Sequence, residues 1–412
     1  PAGIFGPLGH QVRGISMLES IKVLSFTHYL QGPSAVQALA ELGADVTKIE
    51  SLKGAFERHW SGINSFLNGI SVYFMIVDRN QKSLSVDLKT EEGKQIIYKL
   101  VREADVLVEN FRPGVMEKLG FGYEALREIN PALIYCSCSG FGATGPYRTR
   151  PGQDLLAQAM SGFMTINGAQ KDPPIPVGTA IADQHAARLA ALGILVALCQ
   201  RKTTGKGTYI DNCLLNASLH LQMEPLIYHL NGRQMYPRSR TGIGTRIHQA
   251  PYGVYKTLDG YLCLSMTASK KLAELFQDDW FLQWDDIDQF DRREEINDVV
   301  KKYMGQKTTK EWLERLSALD IWYSEIQEYA DVENDPQVRW NKSIMSFEHP
   351  VAGTVHILAN PVKYNGERLP LRMLPPELGE HTRSILRRLG YTEKKIQQLE
   401  QSGVVKCSEP VG

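Results

Sequence analysis

Ile21-Lys22-Val23-Leu24-Ser25-Phe26-Thr27, a helical run opened by Gly32-Pro33 and reaching Leu42, then Asp45-Val46-Thr47-Lys48-Ile49-Glu50: this stretch decides the fold. The first run is apolar enough for a buried strand. Proline in a helical first turn costs no hydrogen bond, because those N–H groups lack partners anyway. The third run reads as a second strand. Working outward, Ser83–Leu88 alternates like a strand, and Thr90 can cap a helix over Glu91–Glu103. Asp105–Glu109 is a strand, Gly114–Leu119 a short helix and Leu133–Ser139 another strand. Strands alternating with helices predict parallel βαβ units and an α/β fold. Ala186–Arg201 is a long helix, apolar on most faces and therefore expected to be buried. After the Gly205-Lys206-Gly207 turn come a strand at Thr208–Asp211 and a mostly helical Leu214–Leu230.

Beyond about residue 230 the texture changes. Arg238–Gln249 is polar and loop-like. Pro251–Tyr255 and Tyr261–Met266 flank Asp259-Gly260 like a hairpin. Charged helices then run from Lys270 to about Leu319, as in a separate, smaller α+β domain. Asn334-Asp335-Pro336-Gln337 marks a boundary, and the tail returns to short strands and two helices, Thr382–Leu389 and Thr392–Glu400. The expected division is 17–225 for the first part of a large domain, 226–333 for the small domain, and 334–412 for a return to the large one. Residues 1–16 lack periodicity and read as a leader.

The 412 residues are 43% hydrophobic and 22% charged, as in a soluble globular protein. Lys+Arg and Asp+Glu both number 46. That balance offers no nucleic-acid footprint and no polybasic membrane patch, so a bound phosphate needs a local cluster. The six cysteines include no CxxC and no zinc-like Cys/His spacing. Cys136 and Cys138 share a strand face and are expected in the core. Free thiols point to a reducing cytoplasm. The most apolar stretch, Leu189–Cys199, is too short to span a bilayer, and no signal peptide is visible.

Asp183 closes Pro176-Val177-Gly178-Thr179-Ala180-Ile181-Ala182-Asp183, read as an apolar strand leading into the long helix. There the helix dipole favours a charged carboxylate while apolar neighbours strip its water. Such a group is a usable nucleophile. The plainer reading is a helix N-cap. Gly140-Phe141-Gly142-Ala143-Thr144-Gly145 fits G-x-G-x-x-G after a strand, but Pro146 follows and the helix that would hold a pyrophosphate is missing, which argues against a nicotinamide site. Arg112 and Lys118 in a strand-to-helix turn, and Lys89 after another strand, are cations at strand ends where α/β sheets bind ligands. Together they could hold a polyphosphate; singly they read as solvated charges. His28 and Gln31 follow the first strand. Asp154, after Gln153, precedes an apolar helix, and the plain reading is its N-cap. His185 reads as a local helix residue.

Thr27–Pro33, Leu42-Gly43-Ala44-Asp45-Val46, Val108–Gly114, Ser139–Pro146, Ala157–Gly162 and Val177–Asp183 resemble the class III CoA-transferases (the CaiB/BaiF type). That family includes formyl-CoA and carnitine CoA-transferases and the 2-methylacyl-CoA racemases. Pro251-Tyr252-Gly253, Asp335-Pro336-Gln337 and Gly379-Glu380-His381-Thr382 extend the similarity, which covers nearly everything from Met17 to about Val405. The resemblance implies a Rossmann-like large domain built from both ends of the chain, and an interlocked homodimer. It implies an enzyme moving coenzyme A between carboxylic acids, with Asp183 as nucleophile and Asp154 as an acidic helper. No metal or nicotinamide is implied. By motif position coenzyme A would contact His28, Leu30, Gln31, Val86, Lys89, Asn110, Phe111, Arg112 and Lys118, with Gln153 also at the site. Leu30 stands where formyl-CoA transferase carries Gln, and the glycine-rich loop of some small domains is not recognisable; both count against formyl or oxalyl specificity. Gln153 stands where the racemases carry their catalytic His. The alternatives are an acyl-CoA racemase on the same fold and a non-catalytic acyl-CoA-binding protein.

Overall fold

The computed structural model describes residues 17–232, 237–242 and 244–408; the leader reading of residues 1–16 lies outside them. The chain forms two compact units. One takes the N-terminal part up to Ala157, Ala180–Ser218 and everything from Gln337; the other takes Gln158–Thr179 and Leu219–Pro336. Gln158–Thr179 thus belongs with the second unit, where the sequence reading leaves it in the first. Its tie is tertiary: Gln170 N–H donates to Ser239 O at 2.8 Å, and Gln222 Nε2 to Ser161 O at 3.0 Å.

The first unit is built on β1 (Lys22–Phe26), α1 (Gln31–Glu41), β2 (Asp45–Glu50), α2 (Val72–Val77), β3 (Gln81–Val86), α3 (Glu91–Glu103), β4 (Val106–Glu109), α4 (Val115–Leu119), α5 (Tyr123–Ile129), β5 (Ile134–Ser139), α6 (Asp154–Met160), α7 (Ile181–Thr204) and β6 (Tyr209–Cys213). The six strands are parallel and ordered β3-β2-β1-β4-β5-β6. This is the order of doubly wound dinucleotide-binding sheets, whose ligand crevice opens where the order reverses, between β1 and β4. The terminal strand Val405–Lys406 adds antiparallel to β3, with Val405 opposite Val86. Beside it Gly379 N–H donates to Ser83 Oγ at 2.9 Å, and Thr382 Oγ1 accepts from Ser85 N–H at 3.1 Å. Both ends of the chain therefore complete one sheet.

Alternation along the strands sends side chains to two cores. Leu24, Phe26, Leu107 and Tyr135 face α3, α5 and the helices Thr382–Arg388 and Glu393–Gln401. Val23, Val46, Val106, Val108, Cys136 and Cys138 face α1 and α7. Thr90 caps α3, accepting from Gly93 N–H at 3.1 Å.

Two readings are corrected. The third strand ends at Val86, not Leu88, because Asp87 leaves the ladder: its N–H donates to Val404 O and its carboxylate takes Lys89 N–H. The long helix runs for 24 residues and is long and apolar enough, by length and composition, to cross a bilayer. Its alanine-rich face is buried against α1 and the sheet, whereas Leu192 and Val196 are exposed, so it is not apolar and buried all round.

In the second unit β7 (Gly253–Lys256), β8 (Tyr261–Ser265) and β9 (Trp322–Glu325) form an antiparallel sheet ordered β9-β8-β7. Tyr255, Leu262, Leu264, Phe276, Phe281 and Trp312 pack its core. Trp312 is affordable there because its indole N–H reaches Met304 O at 2.8 Å.

Candidate active site

The loops after β1 and β4 meet at the point of order reversal. Asn110 Oδ1 accepts from His28 N–H at 2.9 Å, and Asn110 Nδ2 donates to His28 O at 2.7 Å. Both ends of the amide are thereby used on the main chain, so Asn110 shapes the crevice. Gly32 lets them close: a Cβ there would lie 2.7 Å from Thr27 Cβ and 3.0 Å from Asn110 Cγ. Burial holds the His28 imidazole below its usual value, so it is neutral near pH 7. Leu30 is the N-cap residue of α1. Gln31 opens that helix, and its Nε2 is buried without a hydrogen-bond partner. An orphaned buried donor at a helix start beside the crevice suits an acceptor from a bound ligand.

Phe111 packs on His28 with ring centroids 5.0 Å apart. Lys89, Arg112 and Lys118 are exposed, and none has a carboxylate in salt-bridge range among the described residues. The Val86 side chain is wholly inside the core, leaving only main chain for a ligand. The G-x-G-x-x-G loop runs as turns and coil from Gly140 to Gln153. Gly140 and Gly152 cross so closely that a Cβ on either would lie 2.4 Å from the other's Cα. Its glycines thus serve a backbone crossing, not a helix N-terminus.

Beneath the crevice lies a charge network that sequence reasoning misses. Lys48 Nζ, fully buried, donates to Thr27 O at 3.0 Å and to Glu57 Oε1 at 2.6 Å, and lies 2.9 Å from Asp78 Oδ1. Glu57 Oε2 in turn accepts from Tyr29 N–H at 3.3 Å, where Tyr29 takes the left-handed φ of 60°. One lysine thus secures the loop that carries His28. A lysine between Val46 and Ile49 is a visible signal; its partners are not.

From the crevice a row of rings runs His28, Tyr29, Phe56, Trp60, Tyr73, with successive centroids 5.2, 4.5, 5.8 and 5.1 Å apart. Burial, then the charge of Asp183, pushes the Tyr73 phenol well above its usual range, so it stays an O–H donor. Trp60 and Tyr73 are invisible to sequence reasoning, since isolated aromatics carry no linear motif.

Asp183 is the third residue of α7, whose N-cap is Ala180; it neither ends a strand nor caps the helix. The capping work falls to Asp154, first residue of α6 and nearly buried, whose Oδ2 accepts from Asp183 N–H at 3.0 Å. The two acids expected to act together are therefore adjacent. Gln153 is exposed, and its carbonyl accepts from Leu156 and Ala157 N–H. Burial first, and Asp154 second, push the Asp183 carboxyl up from 3.8 to about 7. That shift corresponds to about 4 kcal/mol against the charged form, more than the ~0.3–1 kcal/mol of a helix dipole. The dipole alone therefore does not keep it fully ionised. Among the described residues no Lys or Arg lies within salt-bridge range of it. A dehydrated carboxylate poised to lose its proton near neutrality is suited to nucleophilic attack.

Residues 18–382 match the family model described as CoA-transferase family III, and the chain belongs to that family. It is an enzyme of that family, using CoA thioesters as co-substrates. Succinyl-CoA:glutarate CoA-transferase of Mus musculus is 34% identical over 95% of this chain and 91% of its own. Formyl-CoA:oxalate CoA-transferase of Streptomyces avermitilis is 30% identical over 94% and 99%. The crystal structure of a CAIB/BAIF family protein from Brucella suis superposes with a TM-score of 0.78 at 31% identity, covering 91% of this chain and 99% of that one.

Proposed function

We propose that the protein moves coenzyme A from an acyl-CoA donor to a free dicarboxylic acid, with Asp183 as the covalent carrier. The observation that carries this is the desolvated Asp183 carboxylate, joined by a row of aromatic rings to a cation-bearing crevice. The carboxylate attacks the donor thioester carbonyl and expels CoA thiolate, leaving a mixed anhydride. The thiolate attacks the aspartyl carbonyl, releasing the donor acid and forming an aspartyl-CoA thioester. The acceptor carboxylate attacks that thioester and again expels thiolate. Thiolate attack on the acyl carbonyl of the second anhydride then frees Asp183 and the new acyl-CoA. Covalent capture conserves the thioester's energy, which hydrolysis would lose.

Coenzyme A would lie over His28, Leu30, Gln31 and Phe111 and the main chain at Val86, with its phosphates near Lys89, Arg112 and Lys118. Asp154 positions the Asp183 main chain and helps raise its carboxyl. The dicarboxylic class is suggested by the relatives named for succinyl-CoA, glutarate and oxalate. We further propose an interlocked homodimer in the cytoplasm. Sedimentation should give a dimer at every practical dilution; a stable, active monomer would contradict that assembly.

The test of function is a mass-spectrometric exchange assay with acyl-CoA donors and free acids in deuterium oxide. New thioesters without α-deuterium are expected. Fast α-deuterium uptake on a chiral 2-methylacyl-CoA, with no acceptor acid present, would overturn the transfer reading in favour of a racemase.

A further inference from the structure

Four successive main-chain groups between β1 and α1 are met by side chains from elsewhere in the first unit. Thr27 O accepts from Lys48 Nζ at 3.0 Å. His28 N–H and O both go to the Asn110 amide, at 2.9 and 2.7 Å. Tyr29 N–H donates to Glu57 Oε2 at 3.3 Å. Tyr29 has a φ of 60°, in the left-handed region that is disfavoured for a residue with a large side chain. Such a conformation persists only where its surroundings over-determine it. Asn110 fixes the residue before the left-handed one. Glu57 fixes Tyr29 itself.

Glu57 is in turn fixed by Lys48. The ammonium has three N–H donors, and three oxygens on three elements surround it. They are Thr27 O after β1, Glu57 Oε1 on the single turn Phe56–Arg58 at 2.6 Å, and Asp78 Oδ1 at the C-terminal end of α2 at 2.9 Å. Lys48, Glu57 and Asp78 are all fully buried. A buried ion cluster is a poor source of stability compared with apolar packing of the same volume. Geometry is what this one supplies: it grips the turn on both sides of His28, at Thr27 O directly and at Tyr29 N–H through Glu57.

We propose that Lys48 is a positioning residue for coenzyme A. Acting through Glu57, it holds the left-handed turn at Tyr29 in the form that presents His28, Leu30 and Gln31 to the ligand. The proposal rests on the reading above that coenzyme A occupies this crevice. A relaxed turn is competent to bind for only a fraction of the time, and the dissociation constant rises by the inverse of that fraction.

Titration of the full-length protein with coenzyme A tests this without needing turnover. Lys48→Met/Glu57→Leu/Asp78→Asn removes the three charges and both ties to the turn. Its urea midpoint should stay near that of wild type, because apolar replacement of a buried ion cluster is often neutral. Its dissociation constant for coenzyme A should rise about tenfold or more, with the number of binding sites unchanged. Loss of folded molecules would instead lower the number of sites. A second variant, Glu57→Gln, has one oxygen where Lys48 and Tyr29 need two. Its amides over 27–31 should exchange with deuterium about tenfold faster than in wild type, while those of α3 stay the same. Turn amides that exchange no faster relative to α3 would overturn the proposal, and this measurement needs no ligand. Coenzyme A affinity unchanged in His28→Ala would defeat the crevice reading itself. A drop in His28→Ala with none in the triple variant would defeat the Lys48 proposal alone.

Discussion

Glu50 and Asp183 are both largely buried carboxylates of the first unit, and their surroundings drive them in opposite directions. Glu50 takes Arg58 Nε at 2.7 Å and Nη2 at 2.8 Å, Ser83 Oγ at 2.6 Å and Ala55 N–H at 3.0 Å. Burial pushes its carboxyl up, but Arg58, with Lys48 and Ser83, outweighs burial and takes it down to about 2. Asp183 has burial and a second acid instead, and rises to about 7. The same side chain is held ionised by donors and pushed toward its neutral form by their absence. Burial alone does not separate the two roles; the sign of the nearest charge does.

The largest expected effect falls on Asp183. On the proposed mechanism Asp183→Asn removes the group that forms the anhydride, and exchange should fall about 10⁴-fold or more. The fold should gain stability. Because the native carboxyl titrates near 7 and the unfolded one near 3.8, ionisation of the unfolded state lowers stability progressively as pH rises across that interval. The gain in Asn should therefore be small near pH 4 and largest above pH 7, up to about 4 kcal/mol before relaxation and water reduce it. Thermal unfolding at several pH values checks this. A destabilised Asn variant would break the contrast with Glu50.

Glu50→Gln should do the reverse. It leaves Arg58 buried without its partner, at a cost of about 3–5 kcal/mol, and activity is lost through the fold. The wild-type contribution of Glu50 is present above its unfolded value of 4.5 and lost as pH falls from there through about 2. Urea midpoints of wild type and variant should therefore converge in acid.

Smaller again is the pH dependence of exchange. On the proposed mechanism the attacking form of Asp183 is ionised, so kcat/KM should fall about tenfold per unit below pH 7, with the inflection near the native value of about 7. An inflection near 4 would show that Asp183 is better hydrated than its burial implies. The mildest effect belongs to the exposed cations proposed to hold coenzyme A. Neutralising Lys89, Arg112 or Lys118 singly should raise KM for acyl-CoA by about tenfold, more at low salt than at high. Three variants with unchanged coenzyme A affinity would return these charges to the solvated surface.

Much of the first unit is legible because parallel strands buried on both faces read as apolar runs. Val23–Phe26 and Val106–Val108 are unmistakable on that ground. Ends are less so. Leu88 continues the alternation of Leu84 and Val86, and only the tertiary bond from Asp87 to Val404 removes it from the strand. Ile181 and Ala182 read as extended beside Thr179, yet Asp154 caps the helix there across 29 residues of sequence. Asp183 is visible as an acid at a helix start; its raised carboxyl value is not, since burial and the neighbouring acid are three-dimensional. Lys48 was visible as a charge inside an apolar strand, but Glu57 and Asp78 find it only through the fold.

The central claim is that the unpaired carboxylate, not the paired one, carries the acyl and CoA groups. The most direct measurement is peptide mass spectrometry of the protein mixed with acyl-CoA and quenched with hydroxylamine. The account predicts inactivation that requires acyl-CoA, with a hydroxamate on the peptide containing Asp183 and none on those containing Asp154 or Glu50. Full turnover with an unmodified Asp183, or a hydroxamate on another acid, would contradict it.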